Sequence, residues 1–476
     1  MGRIQIWAIV LILLMSTFLL SQVNTEEFAS RREALMQKLD DGVIILRGAT
    51  LQPRNNDVEY KFRQKSDFYY LSAFDEPDAT MIIMPGDAKN FILFVKPNDP
   101  RMAIWVGESY GVHGAMNIFK ADTAYSKDLF EEKLKTLLRG KEKVYFPFDD
   151  LELIETVLGV LKSSWGMYPK KTEDVRKHIG ELRLIKSTWE VEQLQKSIDI
   201  TVEAQKEAMQ ATKAGLFEYE IDALINYVYL KNGSPRVGFP SIVGSGVNST
   251  ILHYQDNDYK MKNGDVVVMD IGAEFGMYSA DVTRTIPVNG KFSKEQADIY
   301  QIVLDAQNAG IEKTKPGIGI GEVHETSARV IQDGLLELGL ITDKNSRWQT
   351  RVWFMHGVSH WLGLDTHDAG GYSERSKKGR ILEEGMVFTV EPGIYVAPKA
   401  LENIKTMFRG RVSAEEIDAF IESVKPAFEK YKNIGVRIED DILVTKDGYR
   451  NLSKEAPREI DAIEKLMAKK SSFVKN

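Results

Sequence analysis

The chain has 476 residues, of which 43% are hydrophobic and 28% charged, with a net charge of −7 and no cysteine. This composition excludes collagen, a disordered acidic protein and a protein with many membrane spans. The absence of cysteine excludes disulfides, thiol nucleophiles and cysteine-ligated zinc, and the lack of a long Lys or Arg run argues against nucleic acid as a partner. The length predicts more than one domain, since single hydrophobic cores stop growing at about 250–300 residues.

The first 21 residues are predicted to be a secretory signal peptide. Arg3 precedes an apolar run from Ile6 to Leu20, which is shorter than the roughly 20 residues that a membrane span needs. Cleavage near Ser21 is expected to export the mature protein to the periplasm or the extracellular space, with no stable membrane insertion. The alternative is an uncleaved N-terminal anchor.

Residues 22–175 are predicted to form an α/β N-terminal domain. The pattern alternates short apolar strands with amphipathic helices. The predicted strands lie at 43–46, 81–84 and 91–95, and the predicted helices lie near 127–140 and 149–163.

Residues 176–476 are predicted to form a second domain of the α+β class. Ser293 and Gln296 have the spacing of a capping box at the start of one of its helices. Strands in hairpin-like pairs beside helices favour an antiparallel sheet over a doubly wound one. The predicted helices lie near 189–214, 217–231, 294–313 and 320–338, and the strand pairs at 236–254, 265–288, 385–396 and 434–445.

Two aspartates are expected to meet in a hairpin within 265–288. A turn centred on Phe275 and Gly276 would pair Asp270 with Asp281 across two strands. Neighbouring carboxylates repel unless a proton or a cation lies between them, and a charge within an apolar strand is costly. The pair is a candidate metal site, and the alternative is that one aspartate is a turn residue outside the sheet.

Three of the seven histidines, His356, His360 and His367, lie within twelve positions beside Gly and Asp residues. His356 and His360 have the i, i+4 spacing of a helical metal-binding pair, although Gly357 and Gly363 argue against a helix there. The clustering favours a binding site over separate core or surface histidines.

Two glutamates lie at the ends of predicted strands further along the chain. Glu391 follows an apolar strand and precedes Pro392, which holds it in an extended conformation. Strand alternation places Arg437 and Glu439 on the same face of the last strand. Each motif alone would also fit an exposed strand end or a surface strand with an ion-pair face.

Taken in this order, Asp270, Asp281, His360, Glu391 and Glu439 resemble the metal ligands of the pita-bread metallopeptidases, which include methionine aminopeptidases, prolidases and aminopeptidase P. The resemblance implies a C-terminal pita-bread catalytic domain that binds two divalent ions, often manganese, with Asp281 and Glu439 bridging them. Four carboxylates and one imidazole also suit Mn, Fe(II) or Co better than a thiolate-type zinc site.

Residues 54–77 resemble the N-terminal domain of aminopeptidase P, whereas their own pattern is typical of a turn followed by an aromatic strand. The resemblance implies an exopeptidase that releases the first residue from peptides with proline in second position. The alternatives are a prolidase, which takes only Xaa-Pro dipeptides, and a non-catalytic binding module, against which the five filled ligand positions argue. Proline-containing peptides are the expected partners, and a homo-oligomer is the expected assembly.

The resemblance implies roles for further residues. His253 and His367 match histidines that line the substrate pocket and would position the substrate and stabilise the tetrahedral intermediate, while Glu391 would carry the proton that the proline nitrogen must gain. His356 matches a residue beside the ligand loop, and Arg437 would orient the last metal-ligating glutamate.

The two metal-ligating glutamates are 48 residues apart, which is longer than usual in this family. The extra length forms a predicted helical insertion at about 399–432, where Ser413 and Glu416 predict a capping box. Apolar residues follow at helical spacing, and Pro426 is expected to bend or restart that helix. The segment either borders the substrate entrance and limits peptide length or packs on the outer surface.

Overall fold

The computed structural model describes residues 24–39, 41–162, 167–373, 378–471 and 473. The predicted signal peptide lies outside the described residues. The chain divides into two compact units between Leu182 and Arg183, inside a helix that begins one residue after the predicted boundary at 175. In the described ranges, no helix combines the length and the apolar character that a membrane span requires.

The first unit is built around one mixed sheet. The strands of the first unit are β1 (Val43–Arg47), β2 (Pro53–Asn55), β3 (Val58–Glu59), β4 (Thr80–Ile83), β5 (Phe91–Val95), β6 (Thr123–Ser126), β7 (Lys143–Phe146) and β8 (Lys171–Asp174). Of these, β2 and β3 pair with each other outside the main sheet. Its helices are α1 (Thr25–Lys38), α2 (Ser66–Ser72), α3 (Pro100–Val106), α4 (Gly111–Asn117), α5 (Phe130–Leu137), α6 (Leu151–Lys162) and α7 (Arg176–Leu184), which crosses the division between the units.

The sheet has the order β6-β5-β4-β1-β7-β8. β4 runs antiparallel to both of its neighbours, and the other neighbouring pairs are parallel. The three predicted strands lie at its centre and are almost wholly buried, as their continuous apolar runs predict. Leu134 of α5 and Val157 of α6 pack in the same core, which confirms the α/β prediction.

The predicted aromatic strand is instead a helix. β2 and β3 form the expected turn, with Asn56 at a positive φ of 48°, but the aromatic residues that follow lie on α2. Phe68 and Tyr70 are buried, and the ring of Tyr69 packs edge-on against Phe28 of α1 at 5.6 Å. Packing against α1 therefore outweighs the strand propensity of these side chains.

The second unit is α+β, as predicted. Its strands are β9 (Arg236–Val237), β10 (Ile242–Ser245), β11 (Val266–Ile271), β12 (Ala273–Phe275), β13 (Tyr278–Ser279), β14 (Val282–Pro287), β15 (Val387–Val390), β16 (Gly393–Tyr395), β17 (Gly435–Arg437), β18 (Asp440–Val444) and β19 (Tyr449–Asn451). Its helices are α8 (Thr188–Ala211), α9 (Glu218–Lys231), α10 (Lys294–Lys313), α11 (Ile320–Glu337), α12 (Arg347–Trp353), α13 (Ala400–Met407), α14 (Ala414–Tyr431) and α15 (Ile460–Met467).

The strands of this unit pair antiparallel in small sheets, which confirms the predicted topology. The two that matter for the site have the orders β10-β11-β14 and β15-β18-β19, and β16 pairs with β17 beside them. The helices cover these sheets around one large hydrophobic core. Ser293 and Gln296 form the predicted capping box of α10, in which each side chain bonds the other residue's backbone N–H.

The hairpin between β12 and β13 turns one residue later than predicted. Gly276 and Met277 are its central residues, with positive φ values of 58° and 73°. Asp270 therefore pairs with Thr283 and not with Asp281, which lies between β13 and β14. Because the side-chain period of a strand is two residues, this shift of the partner by two leaves both aspartates on one face.

The insertion forms α13 and α14, and α14 continues through Pro426 to Tyr431. The predicted restart at Pro426 is wrong. A proline inside a helix costs about 3 kcal/mol, whereas full burial of a side chain such as Phe428 provides roughly 1.5–3 kcal/mol, and both Phe428 and Tyr431 are buried beyond the proline.

One face of α14 packs into the core of the second unit. The rings of Phe420 and Phe428 contact Trp348 and Trp353 of α12, with centroids 4.9 and 6.1 Å apart. Ser413 caps the helix by accepting from the backbone N–H of Glu416. The Glu416 carboxylate accepts a hydrogen bond from Trp348 Nε1 at 3.0 Å, so it ties the helix start to α12.

Candidate metal centre

The five predicted ligands lie on or next to four strands of the second unit. Asp270 is in β11, Asp281 precedes β14, Glu391 follows β15, and Glu439 lies between β17 and β18. His360 is in the loop before β15, and it is fixed on that strand because its carbonyl accepts from the Thr389 N–H (3.0 Å) and its own N–H donates to Thr389 Oγ1 (3.2 Å). The alternative of a helical His356–His360 pair is therefore wrong.

The imidazole of His360 lies among three carboxylates. Its Nε2 atom is 3.3 Å from Asp281 Oδ2, 3.6 Å from Glu391 Oε1 and 3.8 Å from Glu439 Oε1. Ligand atoms of Asp281, His360 and Glu439 all lie within 4.8 Å of one another. Side chains separated by more than one hundred residues in sequence thus converge on a space of the size that metal ions occupy.

The electrostatics of the cluster fit divalent cations. Burial raises the pKa of Asp281 well above its usual value, and the Asp270 carboxylate beside it adds to that rise. Burial also raises the pKa of Glu439, and repulsion from Asp281 and Glu391 raises it further. Within the described structure, the buried atoms Asp270 Oδ1, Asp281 Oδ1 and Glu439 Oε1 have no hydrogen-bond partner. Buried, mutually repelling carboxylates with open oxygen atoms provide the hard ligands that such cations prefer.

Arg437 contacts a different ligand from the one predicted. Its Nη2 atom donates to Asp270 Oδ2 at 2.5 Å and its Nη1 atom donates to the hydroxyl of Tyr395 at 2.9 Å. Glu439 is instead held by the Thr283 hydroxyl, which donates to Oε2 at 2.6 Å. Arg437 reaches Glu439 through this hydroxyl, to which its Nε atom donates at 3.4 Å. Alternation along one strand shows a shared face but not the neighbour across the sheet, so the direct bond to Asp270 could not be predicted.

His356 lies between Tyr395 and the predicted ligand Glu391. Its Nε2 atom is 2.9 Å from the Tyr395 hydroxyl, and its Nδ1 atom is 3.9 Å from Glu391 Oε2. Burial and then the neighbouring Arg437 lower the pKa of His356 to about 4, so its imidazole is neutral at pH 7. The structure thus places His356 beside the predicted ligand Glu391.

Of the remaining two predicted histidines, His367 packs against His360. The rings of His360 and His367 lie 4.3 Å apart between centroids. His367 is exposed, yet partial desolvation lowers its pKa, and nearby His360 and His253 lower it further. His253 is exposed in the loop after β10. His367 thus lies next to His360, and both His367 and His253 are exposed.

Sequence reasoning missed three residues, Thr283, Asp441 and Tyr395, that support the predicted metal ligands directly or through a neighbouring side chain. Thr283 bonds Glu439, the backbone N–H of Asp281 donates to Asp441 Oδ2 at 3.2 Å, and Tyr395 joins Arg437 to His356. Each is two or four residues from a predicted ligand along an extended segment. The two-residue strand period, applied outward from each ligand, was the signal that would have found them.

Comparison with known proteins places both units in described families. The profile of metallopeptidase family M24 matches residues 192–446, and the profile of the aminopeptidase P N-terminal domain matches residues 28–145. The chain is 35% identical to an Xaa-Pro aminopeptidase of Escherichia coli and 37% identical to one of Haemophilus influenzae. These matches cover 94% of this chain in both cases, and 99% and 98% of the relatives.

Solved structures show the same likeness. Aminopeptidase PepP of Pseudomonas aeruginosa superposes with a TM-score of 0.84 at 36% identity, covering 94% of this chain and 98% of that one. A variant of Escherichia coli aminopeptidase P in complex with substrate has a TM-score of 0.84 at 34% identity, covering 94% and 99%. The likeness extends over both units of the chain.

Proposed function

The chain belongs to metallopeptidase family M24, and we propose that it releases the N-terminal residue from peptides with proline in second position. It is a metallo-aminopeptidase with a pita-bread catalytic domain and an aminopeptidase P-type N-terminal domain. The relatives named Xaa-Pro aminopeptidases favour this activity over that of a prolidase. The observation that carries the proposal is the convergence of Asp281, Glu391 and Glu439 on His360 Nε2.

We propose that two divalent ions, manganese in particular, are held by Asp270, Asp281, His360, Glu391 and Glu439. The four carboxylates carry a total charge of −4, which two such ions balance. Divalent ions lower the pKa of a bound water to near neutrality and polarise a carbonyl oxygen. The orphaned carboxylate oxygens support this assignment, and the oxygen-rich ligand set suits manganese.

The protein's own groups are arranged to orient the peptide and to move a proton. A neutral His367 can donate a hydrogen bond to the oxygen of the tetrahedral intermediate, and its lowered pKa keeps it neutral at pH 7. Burial raises the pKa of Glu391, although His360 and Arg437 oppose the rise. That rise belongs to the metal-free site; we propose that the ionised carboxylate, once the metals are bound, accepts a proton and then delivers it to the proline nitrogen, which carries no hydrogen in the peptide.

A peptide panel tests the proposed substrate. We expect purified protein supplied with Mn²⁺ to hydrolyse Xaa-Pro-Yaa, to leave Xaa-Ala-Yaa intact and to lose activity when the metal is chelated. Equal rates on the proline and alanine peptides would contradict the proline requirement. Hydrolysis of Xaa-Pro alone, with Xaa-Pro-Yaa untouched, would make the protein a prolidase.

We also propose that the protein is exported. The support is the apolar run Ile6–Leu20 behind Arg3, which has the length and flanks of a signal peptide. Fractionation of cells that express the full chain, followed by N-terminal sequencing, tests export and cleavage near Ser21. Full-length protein in the cytoplasm would contradict it.

A further inference from the structure

The loop at 246–259, called here the His253 loop, lies beside the metal centre, because Arg437 Nη2 donates both to the carbonyl of Leu252 and to Asp270 Oδ2. The loop begins with the 3₁₀ helix Gly246–Thr250 and borders a groove of about 590 Å³, all of whose lining residues belong to this loop. Most of the loop has no regular secondary structure. Hydrogen bonds from side chains must therefore fix the conformation of the loop, since a regular backbone ladder does not.

Glu218, the first residue of α9, is fully buried beneath this loop. Its carboxylate accepts hydrogen bonds from Ser245 N–H (2.6 Å), Ser245 Oγ (2.7 Å), Asn248 Nδ2 (3.4 Å), Tyr254 Oη (2.8 Å) and Tyr259 N–H (3.0 Å). All of these donors are neutral, and the α9 N-terminus further favours a negative charge at this position. The bonded residues lie on both sides of His253, so one carboxylate joins the two arms of the loop.

Three further hydrogen bonds hold the loop on the rest of the second unit. Asn257, at a positive φ of 48°, accepts from the backbone N–H of Val243 and donates to the carbonyl of Ser241, which ties the second arm to β10 and the segment before it. Arg437 Nη2 donates to the carbonyl of Leu252 at 3.2 Å, next to His253 itself. The Glu218 carboxylate is the point that links the two arms to each other.

We propose that Glu218 is a positioning residue for peptide hydrolysis, acting through the His253 loop. It does not lie among the metal ligands, and its bonds to both arms of the loop set where His253 meets the peptide. This inference rests on the proposed function. A misplacement of about 1 Å at a group that binds substrate can cost on the order of 100-fold in rate. Weakening the hydrogen bonds between Glu218 and the two arms of the loop, called here the Glu218 clamp, should therefore lower the rate of hydrolysis measurably.

The test is Glu218→Gln, because the amide keeps the size of the side chain but replaces one acceptor oxygen with a donor. In the variant, the amide NH₂ group would face another donor, either the Tyr254 hydroxyl or the Ser245 N–H, so one hydrogen bond would be lost. We therefore expect kcat/KM on Xaa-Pro-Yaa to fall about tenfold or more, and we expect the amount of bound metal per chain to stay unchanged. Glu220→Gln is the matched control. In the described part of the chain, the Glu220 carboxylate accepts a hydrogen bond from the Phe217 N–H in the same helix turn and none from the His253 loop, so this variant should leave kcat and KM unchanged.

A double-mutant cycle separates positioning from general support of the fold. If Glu218 acts through His253, Glu218→Gln should cost less than about twofold in the His253→Ala background. The imidazole NMR signals of His253, identified by their loss in His253→Ala, should also shift in Glu218→Gln and not in Glu220→Gln. Tyr254→Phe, which removes one bond of the clamp, takes the place of Glu218→Gln if that variant does not fold.

An equal loss of activity in both backgrounds, with unmoved His253 signals, would overturn the inference and leave the proposed function intact. A metal-loaded wild type that hydrolyses no Xaa-Pro-Yaa peptide would instead overturn the proposed function, which the wild-type measurement reveals before any variant is made.

Discussion

Burial and the neighbouring carboxylates raise the pKa of Asp281 well above its usual value in the proposed dinuclear site. We predict that Asp281→Asn loses metal and abolishes hydrolysis while the fold stays intact. Without metal, the variant should be at least as stable as the wild type, because the substitution removes repulsion from Asp270. Metal analysis, peptide hydrolysis and thermal unfolding check these outcomes, with exposed Asp305→Asn as the control. Full activity with two bound ions would contradict the assignment.

Arg284 and Asp440 form a fully buried ion pair next to the predicted ligand Glu439. Arg284 also donates to the carbonyl of Glu439, so the pair holds the backbone of a predicted ligand. Arg284→Met leaves Asp440 with only the partly exposed Arg458 as a counter-charge, and a broken buried pair typically costs about 3–5 kcal/mol. We predict a loss of roughly 3 kcal/mol in the free energy of unfolding at pH 7.

The same pair has a defined dependence on pH. Burial alone raises the pKa of Asp440, but Arg284 and Arg458 outweigh it and hold the pKa below its usual value. The pair's stabilisation is therefore present above the unfolded-state pKa of about 4 and is lost as pH falls through the lower folded-state value. In Arg284→Met the destabilisation should shrink as pH falls from 7 towards 4, because protonation neutralises the poorly paired carboxyl. Urea unfolding over this pH range measures it, and a pH-independent loss would contradict the charge argument.

Lys294→Met provides the control for that series. Lys294 pairs with Asp298 at 3.1 Å, but its side chain is 76% exposed. Exposed pairs of this kind typically contribute less than about 1 kcal/mol. We therefore expect little change in stability at any of these pH values.

The insertion helix α14 is a structural element of the second unit, since its apolar face contacts two tryptophans of α12. We predict that Phe420→Ala destabilises the protein by about 3–5 kcal/mol, as is usual when a buried phenylalanine is truncated. Thermal or urea unfolding checks this, with exposed Glu422→Ala on the same helix as the control. A loss below about 1 kcal/mol would show that the helix contributes little to the core.

The hypothesis that the insertion borders the substrate entrance stays a prediction, since the packing of its buried face does not test it. Replacing residues 402–430 with a short Gly/Ser link would uncover Trp348 and Trp353. Substitutions on the exposed face, compared by the ratio of rates on long and short Xaa-Pro peptides, are therefore the better test. An unchanged ratio would leave the insertion with a structural role alone.

At the scale of the whole molecule, helix α3 stands out among the described residues because its apolar side chains are exposed. In α3, Ile104 is 84%, Trp105 83% and Val106 78% exposed, and none of the residues of this helix is buried. Adjacent apolar residues at such exposure are typical of a surface that another protein covers. This supports our proposal, expected from the sequence, that the protein is a homo-oligomer.

We predict that Trp105→Asp shifts the protein towards the monomer in sedimentation experiments, because it places a charge in the apolar patch. Leu151→Asp is the control, since Leu151 is a 74% exposed apolar residue of another helix in the same unit. A wild type that sediments as a monomer at all concentrations would contradict the proposed assembly.

The candidate metal-ligand residues, through their resemblance to a known family, and most of the long helices could be predicted from the chain alone. Metal chemistry demands particular residue types, strand alternation places neighbours on one face, and the capping box of α10 depends only on residues three apart. Such short-range rules survive folding, which is why the two aspartates remained on one face although their predicted pairing was wrong.

Only the tertiary structure decided which distant residues meet. Arg437 and Asp270 are 167 residues apart and bond because β17 and β11 come together, a contact that depends on register and sheet packing. The aromatic segment became α2 because α1 covers it, and Glu218 became the support of the His253 loop because α9 packs beneath it. Contacts of this kind carry no local pattern, since burial and pairing partners are chosen by the whole fold.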